Sequence, residues 1–355
     1  MTPTSPITPT SPVTLRTTGP VSPGDRVSVV SPSWAGPEHL PAIFELGLAR
    51  LRAWGLEPVE TPTTRRQGTP AERARDLMAA FADPSTTAVL ASIGGDDQIK
   101  VLPHLDPKVF LAHPKPFFGY SDNTNLLNWL SNLGIACYQG GSVIVQLGRP
   151  GRMHPVTEAS LKAALFTRGP FDLPAPTDFG DETGDWVDFD PATEPPMRPA
   201  EPWTWHGPSR PVLGPLWGGN LEILSWTLGV GRDLLPNEAY AGRVLLLETS
   251  EEMPSADEVY RLFMVMGERG LLQQFAGLVV ARPKAWERST PLALPDRVRY
   301  TDDQRAAVLR GLEEYAPECV AVVGIDCGHG DPQVVMPIGG LCGLDPAAGT
   351  VTVTY

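Results

Sequence analysis

The segment Phe117-Phe118-Gly119-Tyr120-Ser121-Asp122 places a serine at the bend between a buried strand and a helix. Its hydroxyl would stand at the carboxyl edge of a sheet, where ligands bind. The helix that follows would put the Asp122 N–H where it can point at a developing oxyanion. Asn123 occupies the place of the second glycine in G-x-S-x-G, so the turn departs from the usual nucleophile elbow; the competing reading is that Ser121 or Asp122 caps the helix. A serine hydroxyl needs a base at neutral pH. Of six histidines, only His329 lies in a glycine-rich turn, DCGHGDPQ, directly after an apolar strand. Gly328 and Gly330 free the backbone to aim its imidazole, although a histidine in a turn can equally be solvated. The base needs a carboxylate to fix its tautomer, and Glu248 ends the apolar run Val244-Leu245-Leu246-Leu247. Glu251 and Glu252 compete for that role. The chain order Ser121, Glu248, His329 is compatible with a triad assembled across both halves of the protein.

A second oxyanion donor must come from another backbone turn at the same edge. Ile93-Gly94-Gly95-Asp96 follows its strand in the required place, and glycines there let a substrate approach the main chain. The alternative is an ordinary strand-to-helix turn. Gly218-Gly219-Asn220 is similar: it lines the cleft, or Asn220 is an N-cap. Trp186, Trp203 and Trp205 sit in or beside a polar, Pro-rich stretch, where they pack a loop down or stack on a planar ligand.

The elements that must position these groups alternate. RVSVVSPS reads as a buried strand and turn, followed by a helix with Leu40, Phe44, Leu48 and Leu51 on one face. EPVET is a second strand, and Ala74, Leu77, Met78 and Phe81 fall at helical spacing before Pro84. TAVLASIGG and KPFFGYSD are strands ending in turns, NTNLLNWLSNLG is a helix and IACYQ a further strand. This alternation predicts an α/β fold with a parallel sheet covered by helices. Regularity disappears over 169–211, which holds nine acidic residues between Asp172 and Glu201, and is expected to be a linker or surface loop. From Val212 onward the pattern predicts a helix at NLEILSWTLGV, a strand at RVLLLETSEE, a helix opened by the capping box Ser255-x-x-Glu258, the strand GLVVAR, a charged helix over 302–315, the strand CVAVVGI and short terminal strands. The expected division is a disordered Ser/Thr/Pro tail over 1–22, a nucleophile domain over 23–168, the acidic linker over 169–211 and a domain carrying Glu248 and His329 over 212–355.

Composition narrows the partners. A chain of 355 residues with 42% hydrophobic residues can bury a large core. The net charge of −13, with no basic patch in the sequence, argues against a nucleic acid polymer. Four cysteines without a C-x-x-C pair indicate neither a zinc ribbon nor a disulfide framework. There is no membrane-spanning run and no signal-peptide core, which predicts a cytoplasmic protein. IGGDDQ lacks the G-x-G-x-x-G spacing of a dinucleotide-dependent dehydrogenase.

Taken in order, SPSWAGP, SIGGDD, GYSDNT, GGNLEIL, LLLETSEE and DCGHGDPQ resemble the serine peptidase family that contains the LD-carboxypeptidases and the microcin C immunity proteins. The resemblance runs from about Pro23 to near the C-terminus. It implies Ser121 as nucleophile with Glu248 and His329 as partners, and an oxyanion hole from the backbone of Asp122 and Gly95. Gly94, Asp96, Gly218, Gly219 and Asn220 are the expected substrate contacts from the turns described above, and the resemblance adds a stacking tryptophan, Trp186 among the candidates. A flavodoxin-like N-terminal domain, a smaller mixed, β-rich C-terminal domain and a homodimer are also implied, with no metal and no cofactor. Muropeptide-cleaving members usually carry R-G-G-Y-G where this chain has Ile93-Gly94-Gly95-Asp96-Asp97, so the sequence is more similar to the branch that acts on peptidyl- or aminoacyl-nucleotides. The expectation is a serine carboxypeptidase or amidase of that branch. The alternatives are a muropeptide LD-carboxypeptidase and a non-catalytic two-lobed binding protein.

Overall fold

The computed structural model describes residues 15–17, 19–182 and 184–355. Five short apolar runs form the first half of the sheet: β1 (Arg26–Val30), β2 (Glu57–Glu60), β3 (Thr86–Ala91), β4 (Phe117–Gly119) and β5 (Cys137–Gln139). They pair in the order β2-β1-β3-β4-β5, all parallel, which is the flavodoxin-like order. Val27, Val29, Leu90, Phe117 and Phe118 are fully buried, as expected of parallel strands covered on both faces. The helices Pro41–Ala53, Pro70–Ala82 and Thr124–Asn132 supply that cover. The second begins with a complete capping box between Thr69 and Glu72, which satisfies two otherwise unpaired backbone donors.

The chain then forms β6 (Pro170–Asp172), β7 (Asp178–Phe179), β8 (Arg198–Pro199) and β9 (Thr204–His206) before the second half: β10 (Val212–Asn220), β11 (Val244–Glu248), β12 (Gly277–Ala281), β13 (Val320–Ile325), β14 (Met336–Ile338), β15 (Leu341–Asp345) and β16 (Thr350–Thr354). Strands β10 to β13 are parallel neighbours. Strand β14 joins the halves, antiparallel to β5 and parallel to β10, so that among the described residues fourteen strands share one sheet. Strands β15, β16 and β6 extend antiparallel from β10 and give the second half its β-rich end. Beneath β11 to β13, the helices Leu221–Val230, Ala256–Glu268 and Leu294–Tyr315 bury Leu224, Phe263 and Leu312 in a second apolar cluster. The Ser255–Glu258 capping box forms as expected.

Several expectations differ from the structure. Of the expected tail, residues 1–14 and Thr18 lie outside the described residues, but Arg16 bridges Ile135 and Val21 is buried with its N–H on the Leu165 carbonyl. The stretch 169–211 is more than a linker. It contributes β9 as an edge strand on β13, and its apolar residues Phe171, Phe179, Trp203 and Trp205 pack on the core. The charged helix begins at Leu294, with Pro in its first turn, eight residues ahead of the expected start. Strand β10 and the helix Pro155–Phe166 were not legible: glycines and a proline interrupt the first, and a Pro start and weak amphipathicity mask the second.

Candidate active site

Ser121 lies two residues beyond β4 with a left-handed φ of 63°, a conformation that costs a non-glycine residue roughly 1–3 kcal/mol and must be held by its surroundings. Asn123 does the holding. Its Nδ2 donates to the Ile93 and Tyr120 carbonyls at 3.2 and 3.0 Å, and its Oδ1 accepts from Gln98 at 2.8 Å. The residue that breaks the expected G-x-S-x-G pattern is thus the bracket of the turn. Asp122 points its carboxylate into the protein, where Ser33 Oγ, the Gln98 N–H and Asn125 Nδ2 donate to it. Burial pushes its carboxyl up, opposed by those bonds. The side chain is therefore structural, and only the backbone of Asp122 is available to chemistry beside the serine.

A cavity of about 830 Å³ opens over Ser121. Gly94 forms its near wall: a Cβ there would lie 2.8 Å from Ser121 Cβ and 3.0 Å from its Oγ, so a side chain would fill the space that a substrate must enter. Gly95 and Asp96 continue the same wall. The turn is fixed from behind by Arg73, whose side chain is 1% exposed and grips Asp97 through two bonds of 2.7 and 2.9 Å.

His329 enters the cavity from the loop after β13. Its Nδ1 lies 2.6 Å from Oε2 of Glu248, the last residue of β11. Gly328 permits this approach, since a Cβ on it would sit 3.1 Å from the same oxygen. Gln333 and Gln139 hold the loop through the carbonyls of Gly328 and Cys327. The imidazole packs 4.8 Å, centroid to centroid, from the ring of Tyr120, the residue before the serine. Its Nε2 faces Oε2 of Glu251 at 3.5 Å. Burial opposes charge on the ring, but the Glu248 carboxylate, followed by Glu251 and Glu222, overrides it and raises the pKa to about 9.

Gly218, Gly219 and Asn220 do not line this cavity. They lie on buried β10, where a Cβ on Gly219 would meet Thr124 Oγ1 at 2.6 Å. Asn220 caps the next helix by accepting from the Ile223 N–H at 3.0 Å. Of the three tryptophans, Trp203 donates to Asp326 and Trp205 pairs with Val322 on the sheet edge, whereas Trp186 lines the cavity with Ser121 and His329. The loop that carries Trp186 is pinned: Gly180 and Asp331 exchange backbone hydrogen bonds, Asp181 pairs with Arg198 and Arg297, and Asp185 pairs with Arg288. Among the described residues, no group of three or more His, Cys, Asp or Glu side chains is arranged to hold a metal ion, and no helix is long and apolar enough to cross a membrane.

Residues 27–140 match the N-terminal domain of the LD-carboxypeptidases, and residues 213–344 match their C-terminal domain. The chain belongs to the LD-carboxypeptidase family of serine peptidases. Among relatives of this LD-carboxypeptidase family member, the microcin C7 self-immunity protein of Escherichia coli is 24% identical over 94% of each chain. The Bacillus subtilis protein named "Probable murein peptide carboxypeptidase" is 26% identical over 93% of this chain and 92% of its own. The same fold is found in the microcin C7 self-immunity protein in complex with aspartyl sulfamoyl adenosine, with 23% identity, a TM-score of 0.83 and coverage of 96% and 98%. It is found again in a similar protein from Streptococcus pneumoniae in complex with AMP, with 23% identity, a TM-score of 0.81 and coverage of 93% and 99%.

Sequence reasoning missed Arg73, Asp97, Tyr120 and Lys284, all of which support or line the LD-carboxypeptidase cleft. Arg73 carried a signal: Arg73, Leu77 and Phe81 recur at i, i+4 and i+8, which places a charge on the apolar stripe of its helix.

Proposed function

We propose that this protein hydrolyses the amide of a peptidyl- or aminoacyl-nucleotide of the microcin C type, with Ser121 as nucleophile, His329 as general base and acid, and Glu248 as its carboxylate partner. The observation that carries the reading is the 2.6 Å contact between His329 and Glu248 on the wall of the cavity that also exposes Ser121. In the first step Ser121 Oγ attacks the acyl carbon and its proton passes to His329 Nε2. The carbonyl oxygen becomes an oxyanion facing the N–H groups of Asp122 and Gly95. Collapse expels the nitrogen leaving group, which takes the proton from His329. Water, deprotonated by the same imidazole, then cleaves the acyl ester and regenerates Ser121. Glu248 holds the Nδ1 proton throughout and stabilises the imidazolium.

Two observations support a nucleotide leaving group: Trp186 presents a half-buried indole to the cleft, and proteins of the same fold bind AMP and an aminoacyl sulfamoyl adenosine. The relation to a murein peptide carboxypeptidase favours a second reading, an LD-tetrapeptide substrate. Incubation with both substrate classes, followed by mass spectrometry of products and of the Ser121 peptide, separates them. Release of the free acid and sulfamoyl adenosine, with an acyl adduct on Ser121, is expected; turnover of the tetrapeptide alone would reverse the choice of substrate.

A further inference from the structure

We propose that Glu251 receives a cationic group of the substrate, so that the enzyme prefers acyl residues whose side chain is positively charged; this rests on the Ser121 cleft being the place of hydrolysis. Glu251 Oε2 lies 3.5 Å from His329 Nε2, the ring nitrogen that must exchange a proton with Ser121. A carboxylate at that point competes with the serine and must leave it for the reaction to proceed. Its side chain is 53% exposed and has room to turn into the cavity. Released from the imidazole, it is free to meet a cation that the substrate brings, beside Lys284.

The charge of the cleft decides which substrate group can supply one. Six carboxylates line the cavity, from Asp96, Asp97, Asp185, Glu251, Glu252 and Glu287. Arg73 takes Asp97 and Arg288 takes Asp185 at 2.7 and 2.8 Å. Asp96, Glu251, Glu252 and Glu287 remain, set against Lys284 and His329. An entering carboxylate would meet a field of its own sign, whereas an ammonium or guanidinium group would be drawn in. Partial desolvation by the cleft walls opposes ionisation of Glu251, but His329 and Lys284 keep its carboxyl below the usual range, so it is an anion when substrate arrives. The groups that face His329 are Glu248 at the end of β11, Glu251 in the turn after it, Glu222 on the helix Leu221–Val230, and Tyr120. A substrate cation that draws Glu251 away removes one of the carboxylates that keep the imidazole protonated, and so releases the base.

The test uses lysyl, norleucyl and aspartyl sulfamoyl adenosine. Binding of each is measured by calorimetry to Ser121→Ala, which needs no turnover, and kinetics are measured on the active enzyme. The lysyl compound should bind about tenfold more tightly than the norleucyl compound, a ratio within reach of one charge-assisted hydrogen bond. Adding Glu251→Gln should bring that ratio near one, and Glu251→Lys should invert the preference toward the aspartyl compound. In the active enzyme the pKa seen in kcat should fall below that in kcat/KM for the lysyl substrate only, a signature that a merely structural Glu251 would not give. Equal affinity for the lysyl and norleucyl compounds, or a ratio unchanged by Glu251→Gln, would overturn the proposal. Tight, Glu251-dependent binding without any turnover would instead count against the hydrolytic reading and leave the role of Glu251 standing.

Discussion

Glu248 and His329, 81 residues apart in sequence, meet through a carboxylate oxygen and Nδ1 at 2.6 Å, with the carboxylate wholly buried and the ring 6% exposed. An imidazole held at Nδ1 presents Nε2 to the cleft, the tautomer that a serine base requires.

Replacing Glu248 by Gln should keep the packing and lose the reaction. A loss of about 10⁴-fold in kcat is expected, as for amide substitution in a serine triad. The acidic limb of the pH profile should move down as well, because the largest force raising the imidazole pKa is gone. An unchanged limb would separate Glu248 from the base.

At Ser121 stability and activity should part company. Ser121→Gly removes the nucleophile and relieves a left-handed φ of 63°; turnover should disappear while the thermal midpoint rises by an amount matching about 1 kcal/mol. Thermal denaturation and a hydrolysis assay on one preparation check both.

The pH dependence has a definite sign. A ring with a pKa of about 9 is protonated at neutral pH and accepts no proton, so kcat/KM should climb from pH 6, reach half its maximum near pH 9 and level off only above it. Folding raises this pKa from 6.5, so the charged ring stabilises the fold fully below pH 6.5 and the contribution is lost as pH rises through about 9. Urea denaturation at pH 7 and pH 10 should show the lower stability at the higher pH.

Trp186 should act on binding of the nucleotide. Trp186→Ala is expected to raise KM by about 10- to 100-fold, the range of one base–aromatic stacking contact, and Trp186→Phe should recover most of it. Equal KM values for Ala and Phe would remove stacking from the account.

Arg73 should prove structural. Its guanidinium is 1% exposed and paired with Asp97, so Arg73→Met strands a carboxylate under the Gly94-Gly95 turn and should destabilise the fold by about 3 kcal/mol. Equilibrium denaturation measures it.

Most of the strands were legible, and so were the places of Ser121, Glu248 and His329 just at or beyond strand ends, because each sits where periodicity changes. A buried run ends at Gly119 and a helix begins at Thr124; another ends at Glu248; a third ends at Ile325 before the glycine turn. What the sequence hid depends on pairing across distance. Asn220 was read as a cleft residue or a cap, and only the neighbouring strand and Thr124 decide for the cap. The carboxylates of 169–211 read as solvated surface because their arginine partners, Arg288 and Arg297, lie about a hundred residues away. Glu251 read only as a competitor of Glu248, and its place beside Nε2 depends on the distant loop that carries His329.

The backbone exchange between Gly180 and Asp331, backed by the 2.6 Å pair of Arg149 with Asp331, stitches the strap that bears the indole to the turn that bears the imidazole. The two are tied together at this point. A ligand that displaced the strap would therefore tug on the proton acceptor itself, so defects engineered at this tie should surface as slowed chemistry as well as weakened capture.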